Sequence, residues 1–419
     1  MRKKLFKPLT LALATAMLFS VSCQDDLGSN YVPTSDKAKT ETIKRSAEDA
    51  IEWALAYKYG DSESQSRSNA TANLANVKVI TSATSRSNAD TLIYVVNYEN
   101  NGGYALVSAS CHVEPILGYV EEGSFDEERV AENKSYSYFL DAAKRYASKP
   151  KDSLYIPTKP IVLGRHVCDS IRPRVEVAWN QYYPEGYFFE NGVCGCVQTA
   201  TAQVMSYLEK PTSISLTYPD RDKNNETIDW SRLKLHKKSS YYCWDCPLSD
   251  EEHLVLARLC RQIGYLNHSY TGYSDELDKD GNPISIGTGV NGSNVFNAFE
   301  TLLPNNIVSK GYSIEGLDLY DSLFRNNGVA MVGGPGHAWV CDGGRRDIWY
   351  DTFTLVDGTV EHISGYVYLH FNWGWGGQDN GYFLSDLINP AKGKEYDEPS
   401  THHIDHDYGH LNMSIIVKK

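Results

Sequence analysis

The feature that most restricts how this chain can fold is the run Gly192-Val193-Cys194-Gly195-Cys196-Val197-Gln198-Thr199-Ala200-Thr201-Ala202-Gln203-Val204-Met205-Ser206-Tyr207. After Gly195 the pattern turns helical: Val197, Ala200, Thr201, Val204 and Leu208 share one face, and Pro211 stops the run. Gly195 lets the backbone turn sharply before the helix. Cys196 is therefore expected in a first helical turn, where the macrodipole and unpaired amides favour thiolate over thiol. A lone cysteine in such a place is more often a small buried hydrophobe than a nucleophile. Residues far downstream change that balance.

Gly333-Gly334-Pro335-Gly336-His337-Ala338-Trp339-Val340 sets a histidine between a glycine-rich stretch and a strand-like apolar run ending at Cys341. Asn372 closes a second β-like run over 366–371 and precedes Trp373-Gly374-Trp375-Gly376-Gly377. Two neighbouring strands would present His337 and Asn372 side by side, with Trp373 and Trp375 shielding their hydrogen bond from water. Acyl transfer by a thiol needs an imidazole to take and return a proton, and a third group to orient that imidazole. Cys196, His337 and Asn372 supply those types in order. Gly333, Gly334 and Gly336, with Pro335, would let a peptide backbone approach closely. They are expected, with Trp373 and Trp375, to contact substrate.

The motifs G-C-V-x-T-A-T-A-Q-x-M-x-Y, G-H-A-x-V-x-D-G and N-W-G-W-G-G-x-x-x-G-[FY]-F, read over residues 175 to the end, resemble the streptopain family of papain-like cysteine peptidases. The resemblance implies that Cys196 is the nucleophile, His337 the general base and acid, and Asn372 the orienting residue. Trp179-Asn180-Gln181 matches the family's oxyanion setting, so Gln181 and the Cys196 amide are the implied donors. The implied fold is α+β: a papain-like domain with a helical part and an antiparallel β part, behind a small α+β prosegment. Protein or peptide substrates are implied, with no cofactor and no metal. Cys194, two residues before the nucleophile, departs from the family pattern.

Residues 1–23 read as a targeting segment: Arg2, Lys3, Lys4 and Lys7, then an apolar stretch over 9–19, then Ser20-Val21-Ser22-Cys23. The stretch is too short for a permanent transmembrane helix. Cys23 followed by Gln24-Asp25-Asp26 reads as a lipoprotein signal, with Cys23 lipidated and holding the chain to an envelope membrane. Residues 24–44 are a polar tether. Within 45–150 the sequence predicts a helix over 47–59, a hairpin from 91–98 and 104–109 around Glu99-Asn100-Asn101-Gly102-Gly103, a strand over 115–120 and a helix over 136–146. The resemblance makes this unit an inhibitory prosegment, packed on the enzyme and keeping its site unassembled or blocked. Residues 151–174, with Pro157, Pro160 and Pro173, are expected to be a linker holding the processing site. Residues 175–419 form the peptidase domain. A net charge of −13 argues against a nucleic-acid partner.

Between cysteine and histidine the sequence predicts a short strand or turn over 226–230 and a helix over 251–264. The run 287–294 leads into a helix over 295–303 capped by Ser293 or Asn294. That glycine-rich run lacks the Gly-Lys-Ser/Thr ending of a phosphate loop, and the resemblance makes it a cleft wall. A helix over 317–326 precedes a strand over 329–332, and 345–365 reads as an inserted loop. Nine cysteines are present. Setting aside Cys23 and Cys196, a disulfide involving Cys243 or Cys246 is favoured over a zinc half-site. Cys194 is open between a bonded, a modulating and an inert thiol. Two other function classes stay in view: a peptidoglycan endopeptidase or amidase sharing the Cys-then-His order, and a surface binding protein with a decayed catalytic centre. The tryptophan motif argues against the first. Retention of Cys196, His337, Asn372 and Gln181 argues against the second.

Overall fold

The computed structural model describes residues 44–59, 74–81, 90–148, 165–215, 225–238, 247–277, 283–312, 314–334, 337–355, 358–388 and 413–419. Cys23, the targeting segment, the tether up to 43, Cys243, Cys246, Pro335 and Gly336 lie outside the described residues.

The N-terminal part begins with α1 (Ala47–Tyr59), which buries Trp53, Ala54 and Tyr57. Ser46 and Asp49 start it reciprocally, each side chain bonding the other's backbone amide, at 3.1 and 2.8 Å. The strands β1 (Leu74–Thr81), β2 (Thr91–Tyr98), β3 (Tyr104–Ser108) and β4 (Ile116–Val120) then pair antiparallel in order. Asn100 and Asn101 both take positive φ, at 57° and 54°, the conformation that tight hairpin turns demand. α2 (Glu127–Glu132), capped by Asp126, and α3 (Lys134–Ser148) complete this part.

Beyond it come β5 (Arg165–Ile171), α4 (Cys196–Leu208), the short strands β6 (Ser213–Ile214) and β7 (Glu226–Thr227), α5 (Trp230–Leu233), α6 (Asp250–Leu266), the hairpin β8 (Tyr270–Leu277) and β9 (Pro283–Gly289), α7 (Asn297–Leu302), β10 (Ile307–Gly311) and α8 (Gly316–Asn326). They are followed by β11 (Val329–Gly334), β12 (His337–Leu355), β13 (Gly358–Asn372), β14 (Gly381–Leu384) and β15 (Met413–Val417). One sheet runs through both parts in the order β1-β2-β3-β4-β14-β13-β12-β11-β15-β10, with β5 added along β12. The join is β4 on β14, with Gly381 opposite Val120 and Phe383 opposite Gly118.

Side chains alternate across a strand, so this sheet sorts its residues between two cores. Ala330, Val332, Trp339, Cys341 and Ile416 pack with α1, α3 and α8. Val329, Met331, Ala338, Val340, Ile415 and Val417 pack on the other face with α4, α6 and α7. Burying each large apolar side chain contributes roughly 1.5–3 kcal/mol, so the sheet is held from both faces.

Four expectations change. α4 is buried on nearly all sides rather than on one stripe: Gln198, Thr199, Ala202, Gln203 and Ser206 are enclosed along with the apolar face. The described residues of 345–365 are no loop; 345–355 lie in β12 and 358–365 in β13, paired residue by residue from Gly344 and Leu369 to Leu355 and Gly358, while 356 and 357 lie outside the described residues. The latter part of the expected linker is β5, whose Arg165 to Ile171 pair along Trp349 to Gly344. Neither Ser293 nor Asn294 caps the helix after them. Both sit in a 3-10 turn, and the Asn267 side chain instead accepts from the Ala298 amide at 2.9 Å.

Candidate active site

Cys196 is the first residue of α4, and Gly195 precedes it at φ +93°, in the left-handed region. A Cβ at Gly195 would lie 2.5 Å from the carbonyl oxygen of Thr288, so no side chain fits the turn. The Thr288 hydroxyl in turn donates to the carbonyl of Val193 at 2.6 Å, pinning the approach to the helix against β9. The Trp179-Asn180-Gln181 segment runs alongside. The Trp179 amide donates to Gln203 Oε1 at 2.9 Å, Thr199 Oγ1 donates to the Asn180 carbonyl at 3.1 Å, and the Cys194 amide donates to the Gln181 carbonyl at 2.8 Å. Gln181, half-buried, is thereby fastened two residues from Cys196.

His337 opens β12 and pairs with Gly334 across from it. The structure brings it to Cys196 as a side-chain hydrogen-bonding partner. Burial alone would push the Cys196 thiol up; the charge of His337, its hydrogen bond and the backbone amides of Ala338 and Val197 outweigh that and leave the thiol below its ordinary value. Cys196 is partly buried and His337 buried, so the reactive pair is sheltered from bulk water. This pair is together with the N-terminal part in place, which differs from a site kept unassembled at these two residues.

Asn372 stands opposite Val340 on the neighbouring strand, as two adjacent strands require, but it does not bond the imidazole. Its Nδ2 donates to the Val177 carbonyl at 2.8 Å and its Oδ1 accepts from the Gly374 amide at 3.3 Å. Among the described residues His337 Nε2 has no hydrogen-bond partner. The ring laid parallel to the imidazole is Trp339, at 6.5 Å and 18°, with Trp373 behind it at 5.2 Å. Trp339 was detectable as an aromatic two residues along a strand from His337, hence on the same face.

The expected substrate contacts are distributed differently. Gly333 and Gly334 are buried strand residues, paired with Ala338 and His337, and Gly334 leaves room for the Trp339 ring at 3.2 Å from its missing Cβ. They serve packing rather than an open loop. Trp373 is 1% exposed and locked among Phe371, Phe383, Tyr136 and Phe139. It is core in this state. Trp375 is half-buried.

The N-terminal part grips the loop after Asn372. Asp379, almost wholly buried at φ 56°, accepts from the Tyr104 hydroxyl at 2.9 Å and from Arg129 at 2.9 Å, while its carbonyl accepts from Trp373 Nε1 at 2.9 Å. On β13, His370 meets Asp342 at 2.6 Å and Glu121 of the N-terminal part at 3.7 Å. Burial would lower its pKa; the charge and hydrogen bond of Asp342, then Glu121, raise it overall. No pattern local to the sequence marks Arg129, Tyr104 or Asp379 as partners.

Among known families, residues 175–383 match the model of the peptidase C10 family and residues 33–147 match that of the Spi protease inhibitor. The chain is similar to the thiol protease/hemagglutinin PrtT of Porphyromonas gingivalis, at 26% identity over 72% of this chain and 35% of that protein. It is similar to streptopain of Streptococcus pyogenes, at 25% identity over 71% of this chain and 75% of that protein. The match thus spans about a third of the length of PrtT. A fragment of prointerpain A from Prevotella intermedia shares the fold, with a TM-score of 0.52 at 19% identity, covering 82% of this chain and 99% of that one.

Proposed function

The chain belongs to the peptidase C10 family of cysteine proteases, with a Spi-type inhibitory prosegment ahead of the catalytic part, and on that premise we propose that it is an endopeptidase made as a zymogen and acting through Cys196 and His337. The observation that carries this is a partly buried thiol at a helix start, hydrogen-bonded to a buried imidazole that favours its thiolate. The Cys196 thiolate attacks the scissile carbonyl, and the negative oxygen is stabilised by the Cys196 amide and the Gln181 side chain. His337 protonates the leaving amine, and water then hydrolyses the thioester with His337 as base. Asn372 orients His337 after the loop holding it rearranges, since in the precursor both of its amide groups are engaged elsewhere. Maturation cuts within 151–174, so the enzyme begins in that segment and contains 175–419. Export rests on the charged and apolar start of the chain, and lipid attachment on Cys23; no described helix is long and apolar enough to cross a membrane.

The test is the Cys196→Ala chain. It is expected to lose casein hydrolysis entirely and to persist as an unprocessed precursor. Undiminished casein hydrolysis by that variant would remove Cys196 from the role. Hydrolysis of muropeptides but not casein by the processed wild type would replace the protein substrate with a cell-wall one.

A further inference from the structure

Cys194 sits two residues before Cys196 but faces the core: it is fully buried, whereas Cys196 is only partly so. Its Sγ lies 3.2 Å from Thr199 Oγ1 and 3.6 Å from the carbonyl oxygen of Gly195. Cys260, fully buried in the middle of α6, hydrogen-bonds with its side chain. Both belong to the core that α4 and α6 share beneath the catalytic helix, and both are free thiols here. Cys341 packs in the other core, across the sheet, and Cys196 is engaged with His337. Cys260 shares a core with Cys194 and hydrogen-bonds with its side chain, which makes it the partner that fits.

Its hydrogen bond with Cys194, burial, and the charges of Cys194 and Glu185 hold the Cys260 thiol well above its ordinary value. Exchange needs a thiolate with access to an oxidant, and in the folded core neither is provided. This is a poor reversible switch. It is a good place for a bond made once, while the chain is still open.

We propose that Cys194 and Cys260 become a structural disulfide as the exported chain folds, stapling the turn in front of the nucleophile to the helix behind it. The oxidant is a disulfide of the exchange class, such as oxidised glutathione or a dithiol–disulfide exchange protein. One cysteine thiolate attacks the oxidant's disulfide, forming a mixed disulfide and releasing one thiol. The second thiolate displaces the other half. One S–S bond is broken and one formed, each cysteine loses a proton, and the oxidant takes two electrons. The staple restrains the unfolded chain and secures the Gly195 turn, which has no side-chain cap.

The experiment refolds the full-length Cys196→Ala chain from the reduced, denatured state in a glutathione redox buffer and maps its peptides without reduction. The expected result is a peptide pair joining 194 to 260, a mass lower by two hydrogens, and a thermal midpoint several degrees above that of the same protein kept reduced. In Cys260→Ser the Cys194 thiol reappears as an alkylated residue. Already folded, reduced protein should oxidise far more slowly in the same buffer. Alkylation of both Cys194 and Cys260 in the refolded chain, or a bond from Cys194 to another cysteine, overturns the proposal; equally fast oxidation of the folded protein overturns its timing. The same map made on wild-type precursor recovered from its host covers a variant that fails to fold. Refolding needs no export, so failure here and failure of the export reading are distinguishable.

Discussion

The nucleophile turn and the junction with the prosegment are built on opposite principles. At the nucleophile the backbone does the positioning: a glycine no other residue can replace, a threonine clamp and two neighbouring strands bring Cys196 to His337. At the junction, side-chain charge does much of it. Arg129 and Tyr104 hold the buried Asp379, and His370 lies between Asp342 and Glu121, alongside the pairing of β4 with β14. The difference suggests a division of labour. A reactive pair needs fixed geometry throughout, whereas a contact that must be released once is better made from groups whose loss is local and sensitive to charge.

The sharpest way to break that contrast is at the pair itself. His337→Gln should lower kcat/KM of the processed enzyme by roughly 10²–10⁴-fold, the range for a lost general acid and base, measured on a peptide substrate. The precursor should fold unchanged, because His337 makes no described bond to the prosegment. A fall in precursor stability as large as the fall in activity would blur the division.

Next in size is the junction. Asp379→Asn leaves Arg129 beside a neutral group and should weaken the hold of the prosegment by about 3 kcal/mol, the order expected when one partner of a mostly buried pair is removed. Binding of a separately produced prosegment to processed enzyme measures it. Equal affinity for both enzymes would show that β-pairing alone carries the junction. Arg129→Lys should fall between, since it keeps the charge and loses the planar donor geometry.

The smallest effects are titrations, and the two regions should differ in sign. His370 has a raised pKa: burial lowers it, but Asp342 and Glu121 more than compensate. Its stabilisation is fully present below the ordinary histidine value of 6.5 and is lost as pH rises through the raised value. His236, lying under the catalytic half, goes the other way, lowered to about 4 by burial and then by the charge of His253. The unfolded chain takes up that proton first, so stability is lost as pH falls from about 6.5 to about 4. Precursor stability should therefore weaken at both ends of pH, with His370→Gln flattening the alkaline limb and His236→Gln the acid one. A single limb unaffected by its own substitution would sink that assignment.

The sequence made local features plain and long-range ones obscure. The helix at 47–59 and the hairpin around Asn100 and Asn101 announce themselves within a dozen residues, by burial spacing and turn chemistry. The Cys196 turn does so through Gly195. The β12 and β13 hairpin carried a readable signal that the loop reading passed over, since Asp357-Gly358 lies between β-branched and aromatic runs. The Tyr104 and Asp379 contact joins residues 275 apart, and no periodicity encodes such a partner. Asn372 was placed on the correct neighbouring strand, yet its hydrogen bonds to Val177 and Gly374 depend on a loop course that composition does not dictate.

The most direct measurement is the pH dependence of Cys196 alkylation by iodoacetamide in the full-length precursor, read by peptide mapping beside the His337→Gln chain. A thiolate stabilised by an imidazole with the prosegment still attached predicts alkylation persisting well below the ordinary thiol range in the wild type, and retreating to that range in the variant. Identical profiles in the two proteins would contradict it.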